Sequence, residues 1–106
     1  MIIVSSENIE GKRIVKALGL VKGNTIRARH MGRDIAAAFR NIVGGEITDY
    51  TKMMAESREQ SIDRMVADAK KLGANAIIMV RLSTSSMMQG AAELLVYGTA
   101  VVVENE

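Results

Sequence analysis

The sequence predicts an α+β fold of two layers, an antiparallel sheet with two helices on one of its faces. Three observations predict it. Two segments with helical periodicity, Asp34 to Val43 and about Asp49 to Leu72, follow one another in the middle of the chain. Two apolar, strand-like segments, Ala76 to Thr84 and about Ala92 to Val103, come after them, joined only by the small and polar stretch "SSMMQG". Between the helices and this pair stands Gly73, where a charged helix has to stop and a strand has to start almost at once.

The chain opens on a short β-branched run, Ile2 to Val4, read as a first strand. Arg13 to Arg29 carries two patterns. Ile14, Leu18 and Val21 fit a helix, whereas Ile14, Leu18 and Leu20 fit a strand whose apolar side is broken by Lys16. Gly19 and Gly23 each weaken a helix by roughly 1 kcal/mol, so the segment reads as strand, bent or interrupted near those glycines. Ile35, Ala38, Phe39, Ile42 and Val43 then form one buried helical face, closed by Gly44-Gly45. The second helix has Thr48 or Asp49 as its N-cap and a stripe of Ile62, Met65, Val66, Ala69 and Leu72. Its solvated side holds Lys52, Glu56, Glu59, Asp63, Arg64 and Lys71, with Arg64 and Asp68 as an i, i+4 pair. Lys70 and Lys71 suit the negative end of the helix dipole.

The last two segments read as a β-hairpin. A sheet with one wet face alternates apolar and polar residues, and the last strand does not. Ala92, Leu94, Val96, Gly98, Ala100 and Val102 point one way; Glu93, Leu95, Tyr97, Thr99, Val101 and Val103 point the other, so both faces are apolar toward the C-terminal end. In the preceding strand, Ile78, Val80 and Leu82 share one side, and Ile77 and Met79 the other. Two helices cover one face. The second face, including Leu95, Val101 and Val103, is expected to be covered by neighbouring subunits, because monomers rarely expose large apolar patches.

A chain of 106 residues makes one domain, 1–106, and its 48% apolar and 25% charged residues place it among globular proteins. The absence of cysteine removes disulfides, thiolate metal sites and cysteine nucleophiles, and leaves the cytoplasm as the expected compartment. Met1 to Ser6 has an apolar run of four residues and no basic flank, which does not fit a signal peptide. The longest apolar stretch, Leu94 to Val103, is about half of the ~20 residues that a membrane helix needs. A net charge of +2 is too small to imply a nucleic-acid or membrane partner.

Taken together, Gly11-Lys12, "LGLVKGNTI" at Leu18 to Ile26, "RDIAAAFRNIVGGE" at Arg33 to Glu46, "LGANAII" at Leu72 to Ile78 and "YGTAV" at Tyr97 to Val101 resemble the YbjQ-like family, also described as a "putative heavy-metal-binding" domain. The features stand in the family's order and cover nearly the whole chain. The resemblance implies a small bacterial or archaeal α+β subunit, similar in layout to dodecin-type subunits and assembled as a ring, a pentamer. It implies no established activity, and the heavy-metal label brings no ligand motif that maps onto numbered positions.

A soft-metal site needs thiolates, imidazoles or thioethers at compact spacing. The chain offers one histidine, His30, and eight methionines, with Met53-Met54 and Met87-Met88 as the adjacent pairs. Neighbouring residues diverge on a helix and on a strand, so neither pair chelates alone. Met53, Met54 and Met65 read as packing residues, and Met87-Met88 as part of a hairpin loop. No metal ligand and no cofactor is assigned. The local concentration of positive charge is "IRARHMGR", where Arg27, Arg29, His30 and Arg33 form a candidate anion site; the competing reading is a charged strand edge that discourages unwanted pairing. It lacks interleaved aromatic residues, which argues against single-stranded nucleic acid.

No catalytic residue is assigned: one histidine excludes most nucleophile–base pairs, and Gly44-Gly45-Glu46 lacks the rest of a phosphate loop. The favoured reading is a non-enzymatic cytoplasmic homo-oligomer holding a small ligand or ion at its subunit boundaries. The alternative is an enzyme whose site forms between subunits from charged residues such as Arg33, Asp34 and Glu46.

Overall fold

The computed structural model describes residues 1–28, 48–88 and 91–106. They form four strands and one helix: β1 (Ile2–Ile3), β2 (Lys12–Ala28), α1 (Thr48–Lys71), β3 (Ala76–Met88) and β4 (Ala91–Asn105). The helix expected over Asp34 to Val43, with the glycine pair that closes it, lies outside the described residues.

The sheet is four-stranded, in the order β1-β3-β4-β2. β4 runs antiparallel to both β2 and β3, and β3 and β4 form the expected hairpin. β1, however, pairs with β3 in parallel, through Ile2 opposite Ala76 and Ile3 opposite Ile77. The sheet is therefore mixed, where the sequence predicts an antiparallel one. The reason lies in the segment after β1. It crosses the sheet from the β3 edge to the β2 edge and packs Val4 and Ile9 on the way. That crossover is what allows β1 to run in the direction of β3.

Two apolar clusters lie on opposite sides of the sheet. On the helix side, Val21, Ile77, Val80, Val96 and Ala100 pack against Met65 and Ala69 of α1, with Leu18, Ile62 and Val66 at the margin. On the outer side, Ala76, Ile78, Val101 and Val103 pack against Ile2, Val4 and Ile9. Val101 and Val103 are thus buried by the chain's own N-terminal segment, which corrects the expectation that neighbours cover them. The cover stops there. Farther along the same face Leu20 is 68% and Ile26 57% exposed.

Bulges explain why the strand patterns mislead. In β2 the register slips between Ile14 and Lys16 and again between Ala17 and Gly19, so Val15 and Leu18 are each an extra residue. Each bulge inverts the alternation of faces. This is why Leu18 and Val21, three apart, reach the same cluster and imitate a helix. In β3, Met79 and Val80 together stand opposite Gly98. Ile77 and Val80 consequently share the helix side, not Ile78 and Val80.

The turn after α1 is the sharp reversal that the sequence predicts. Gly73 has φ +87°, its N–H donates to Lys70 O at 3.0 Å, and the N–H of Ala74 donates to Ala69 O at 3.1 Å. These are the two bonds of a Schellman motif. Ala74 packs on the helix-side core immediately afterwards.

Candidate functional site

The most developed polar constellation lies where α1 crosses β2. The buried stripe of α1 runs through Ser57, Ser61, Met65 and Ala69, four residues apart. Its N-terminal half is therefore small and hydroxylated. Opposite it on β2 stands Gly23, flanked by Val21 and Thr25, both buried. The small residues let helix and strand backbones meet, and the buried hydroxyls then need partners.

They have them. The Ser61 hydroxyl donates to Leu94 O at 3.2 Å, and its oxygen shares a further hydrogen bond with the Thr25 hydroxyl at 3.1 Å. The Thr25 hydroxyl donates to Ser57 O at 3.3 Å. Ser57 donates to Met53 O at 2.9 Å and accepts from Arg27 Nε at 2.8 Å. Arg27 Nη2 donates to Gln60 Oε1 at 2.7 Å. Among the described residues no buried side-chain nitrogen or oxygen lacks a partner. Both serine protons are committed to backbone carbonyls, so neither serine is poised as a nucleophile.

Of the four residues of the candidate anion site, only Arg27 falls among the described residues; Arg29, His30 and Arg33 lie outside them. Arg27 is on the helix side and is bound to α1 through Nε and Nη2. The solvent-open depression of about 510 Å³ beside it is lined by Glu56, Glu59 and Asp63 as well as Arg58 and Gln60. Three carboxylates against two guanidinium groups make this a poor place for an anion. Arg27 acts as a clamp between strand and helix.

Two more clamps come from residues that the sequence assigns to a solvated i, i+4 pair. Arg64 Nη1 donates to Asn24 O, and Asp68 Oδ2 accepts from the Lys22 N–H at 3.4 Å. They bind the edge of β2, not each other. Edge groups left open invite strand addition, and these side chains cover them. The helical spacing of Ser57 and Ser61 from Met65 was a legible signal for the buried serines. Nothing in the sequence distinguished Arg64 and Asp68 from ordinary surface charges.

A soft heavy metal does not fit the described donors. The chain has no cysteine. Among the described residues there is no group of three His, Cys, Asp or Glu side chains that could hold a metal ion. Met65 is sealed in the core, while Met53 and Met54 are half-buried neighbours on a helix. Met87 and Met88 belong to β3, not to a loop. Asp34 and Glu46 lie outside the described residues. No helix among the described residues is long and apolar enough to cross a membrane.

These features define a small α+β domain in which one long helix is locked by polar clamps over the edge strand of a mixed four-stranded sheet. The chain belongs to the YbjQ-like family: the family model described as "Putative heavy-metal-binding" matches residues 1–104. A UPF0145 protein of Clostridioides difficile is 59% identical over 106 residues, covering 100% of this chain and 95% of its own length. One from Dehalococcoides mccartyi is 60% identical over 104 residues, 98% of this chain and 100% of the relative. The archaeon Methanosarcina acetivorans has one at 53% identity over 105 residues, 99% of each chain. Among solved structures, a DUF74-family protein from Pediococcus pentosaceus superposes with a TM-score of 0.65 over 98% of both chains at 16% identity, a likeness of fold.

Proposed function

We propose that this chain is a non-enzymatic cytoplasmic protein that works as a homo-oligomer, a pentameric ring, and holds a small ligand or ion where subunits meet. The observation that carries this reading is the half-covered outer face of the sheet. The N-terminal segment seals it around Val101 and Val103, while Leu20, Ile26 and Tyr97 stay open on the remainder. Large apolar side chains left open on a sheet face, here Leu20 and Ile26 with Lys22 and Asn24 between them, favour an interaction site.

The shape supports the same reading. The radius of gyration is 17.4 Å, against about 13 Å for a compact domain of ~100 residues, and the long axis is 55 Å. Strands of 13 to 17 residues extend well past what a 24-residue helix of roughly 36 Å can cover. Among the described residues no other helix covers these strand ends, and a neighbour would complete the layer. The chain's lack of thiolates favours a ligand held between subunits over a metal held within one.

Light scattering coupled to size exclusion tests the assembly. A mass about five times 11.5 kDa is expected, and a mass near 11.5 kDa at micromolar concentration overturns it. Native mass spectrometry of protein purified without added metal reports the retained ligand in the same experiment.

A further inference from the structure

We infer that the uncovered sheet face carries an oxyanion site, formed by the cross-strand row of Lys22, Tyr97 and Arg81. Lys22 on β2 and Arg81 on β3 are both direct register partners of Tyr97 on β4. Directly opposed residues of antiparallel strands project to the same face, with Cβ atoms about 4.5–5.5 Å apart. Tyr97 alternates with Val96 and lies on the side of Val101 and Val103, away from α1. Lys22 and Arg81 therefore stand on either side of Tyr97 on an open surface, and all three residues are exposed.

Among the described residues the two cations have no salt-bridge partner. Among the described residues, the ion pairs are Arg13–Glu104 and Arg58–Glu59, and neither involves this row. Glu93, two rows away on the same face, accepts from Asn24 Nδ2 at 3.2 Å. Arg81 is also held in place. Its Nη1 donates to Ser5 O at 2.7 Å and to Val80 O at 2.9 Å. Nε and Nη2 keep their own N–H donors for a ligand.

The second, independent observation is the bulge that places Arg81. Without the extra residue, Val80 would face Tyr97, and Arg81 would face Val96 on the helix side. The extra residue is Met79, at φ +53°, a left-handed conformation that a non-glycine side chain adopts under strain. The N-terminal segment fixes it: Met79 N–H donates to Ser6 O at 3.0 Å and Val80 N–H to Val4 O at 3.1 Å. Bulges commonly re-aim a side chain beside a functional site. Here the strained residue turns a guanidinium onto the open face.

An ammonium, a guanidinium edge and a phenol suit a compact oxyanion, a phosphate monoester or a carboxylate. Leu20, one row away, offers an apolar flank for the rest of the ligand. The site deepens the interfacial-ligand reading above and rests on it for its place between subunits. The anion is then either a free molecule or a carboxylate of the neighbouring copy.

The test is an NMR titration of the isotope-labelled full chain with inorganic phosphate, with chloride at matched ionic strength as the control. Saturable shifts at the amides of Lys22, Arg81 and Tyr97 are expected with phosphate alone. Lys22→Gln and Arg81→Gln should each weaken binding about tenfold, the loss of one charge-assisted hydrogen bond. Arg27→Gln should leave the phosphate response unchanged. Equal shifts with chloride, or unaltered binding in the Lys22→Gln/Arg81→Gln double variant, overturn the site. Light scattering on the same samples separates the two readings. A monomer that still binds phosphate keeps the site and removes its interfacial placement. An oligomer in which phosphate moves none of the three amides removes a free-anion site. In that case a double variant that stays fully assembled also removes the neighbour's carboxylate as the ligand.

Discussion

Gly23 and Ser61 hold the helix and the edge strand in backbone contact. A Cβ placed on Gly23 would stand 2.1 Å from the carbonyl oxygen of Ser61 and 2.5 Å from the amide nitrogen of Met65. No side-chain rotation relieves a clash with backbone. α1 would have to lift off β2, and with it the hydroxyl network of Thr25, Ser57 and Ser61. Gly23→Ala is expected to cost about 3 kcal/mol, at the upper end of overpacking effects. Urea denaturation monitored by circular dichroism measures it. A change below about 0.5 kcal/mol would show that the helix does not sit this close.

The same contact shows what the sequence conveys and what it hides. Gly23 is visible as a glycine in a strand, and a glycine there marks a bulge or a close approach. Which of the two it marks depends on the register. β2 carries bulges at Val15 and Leu18, so period-2 counting along Ile14, Lys16, Leu18 and Leu20 fails even though the segment is one continuous strand. The helix and hairpin were legible because their signals are local: the helical stripe, the Gly73 stop, the two apolar runs; of the stripe's expected members only Leu72, past the end of α1, is exposed. The parallel β1–β3 pair was not, because its direction follows from a crossover whose path is set by Val4 and Ile9 packing on distant residues. Of the candidate anion residues, Arg27 reads in sequence as an anion ligand or a charged strand edge, and in space it is bound to Ser57 and Gln60 of the helix. Strict alternation along β3 would put Arg81 on the side of Ile77, and the bulge at Met79 moves it to the other.

The Schellman turn supports a quantitative test. Gly73 sits at φ +87°, where an L side chain is strained although no atom lies within 4 Å of the point its Cβ would occupy. Gly73→Ala is expected to destabilise the fold by about 1 kcal/mol, and Gly73→Val by more. Gly73→Asn should be milder than Gly73→Val, since asparagine tolerates the left-handed region. Equal melting temperatures for wild type and Gly73→Val would contradict this account.

Asn75 extends the β3–β4 ladder with its side chain. Its Nδ2 donates to Val103 O and its Oδ1 accepts from the Val103 N–H, both at 2.8 Å. The carboxamide thus stands in for one more strand residue opposite β4. Asn75→Ala should cost about 2 kcal/mol for two hydrogen bonds. Asn75→Asp is expected to be at least as damaging near neutral pH, because a carboxylate then faces the carbonyl oxygen of Val103. Hydrogen exchange at the Val103 amide reports the loss directly, and unchanged protection in Asn75→Ala would refute the role.

Arg27 is expected to behave as a structural residue. Arg27→Ala removes the bonds to Ser57 and Gln60 and leaves the Ser57 hydroxyl with its Met53 partner alone. A loss of about 1–2 kcal/mol follows. Because Arg27 lies partly buried, its bonds are less exchangeable with water than those of a surface pair. Thermal melts should show this loss at low and at high salt alike. A loss that vanishes in about 1 M salt, where surface charges are screened within a few ångströms, would mark Arg27 as a simple surface charge.

Two substitutions on one sheet face should fail in different ways, and the contrast tests the assembly. Val101 is 1% exposed within the single chain, packed against the cluster that Ile2, Val4 and Ile9 complete. Val101→Glu places an unpaired carboxylate in that seal and should destabilise the subunit itself by about 3–5 kcal/mol, with loss of folded protein. Leu20 lies on the same face beyond the seal and is largely open in the subunit. Leu20→Glu should leave the subunit folded, with its circular dichroism intact, and convert the oligomer to smaller species. Size exclusion with light scattering reads the difference. An intact oligomer carrying Leu20→Glu would show that the open part of the sheet is not the surface through which copies meet.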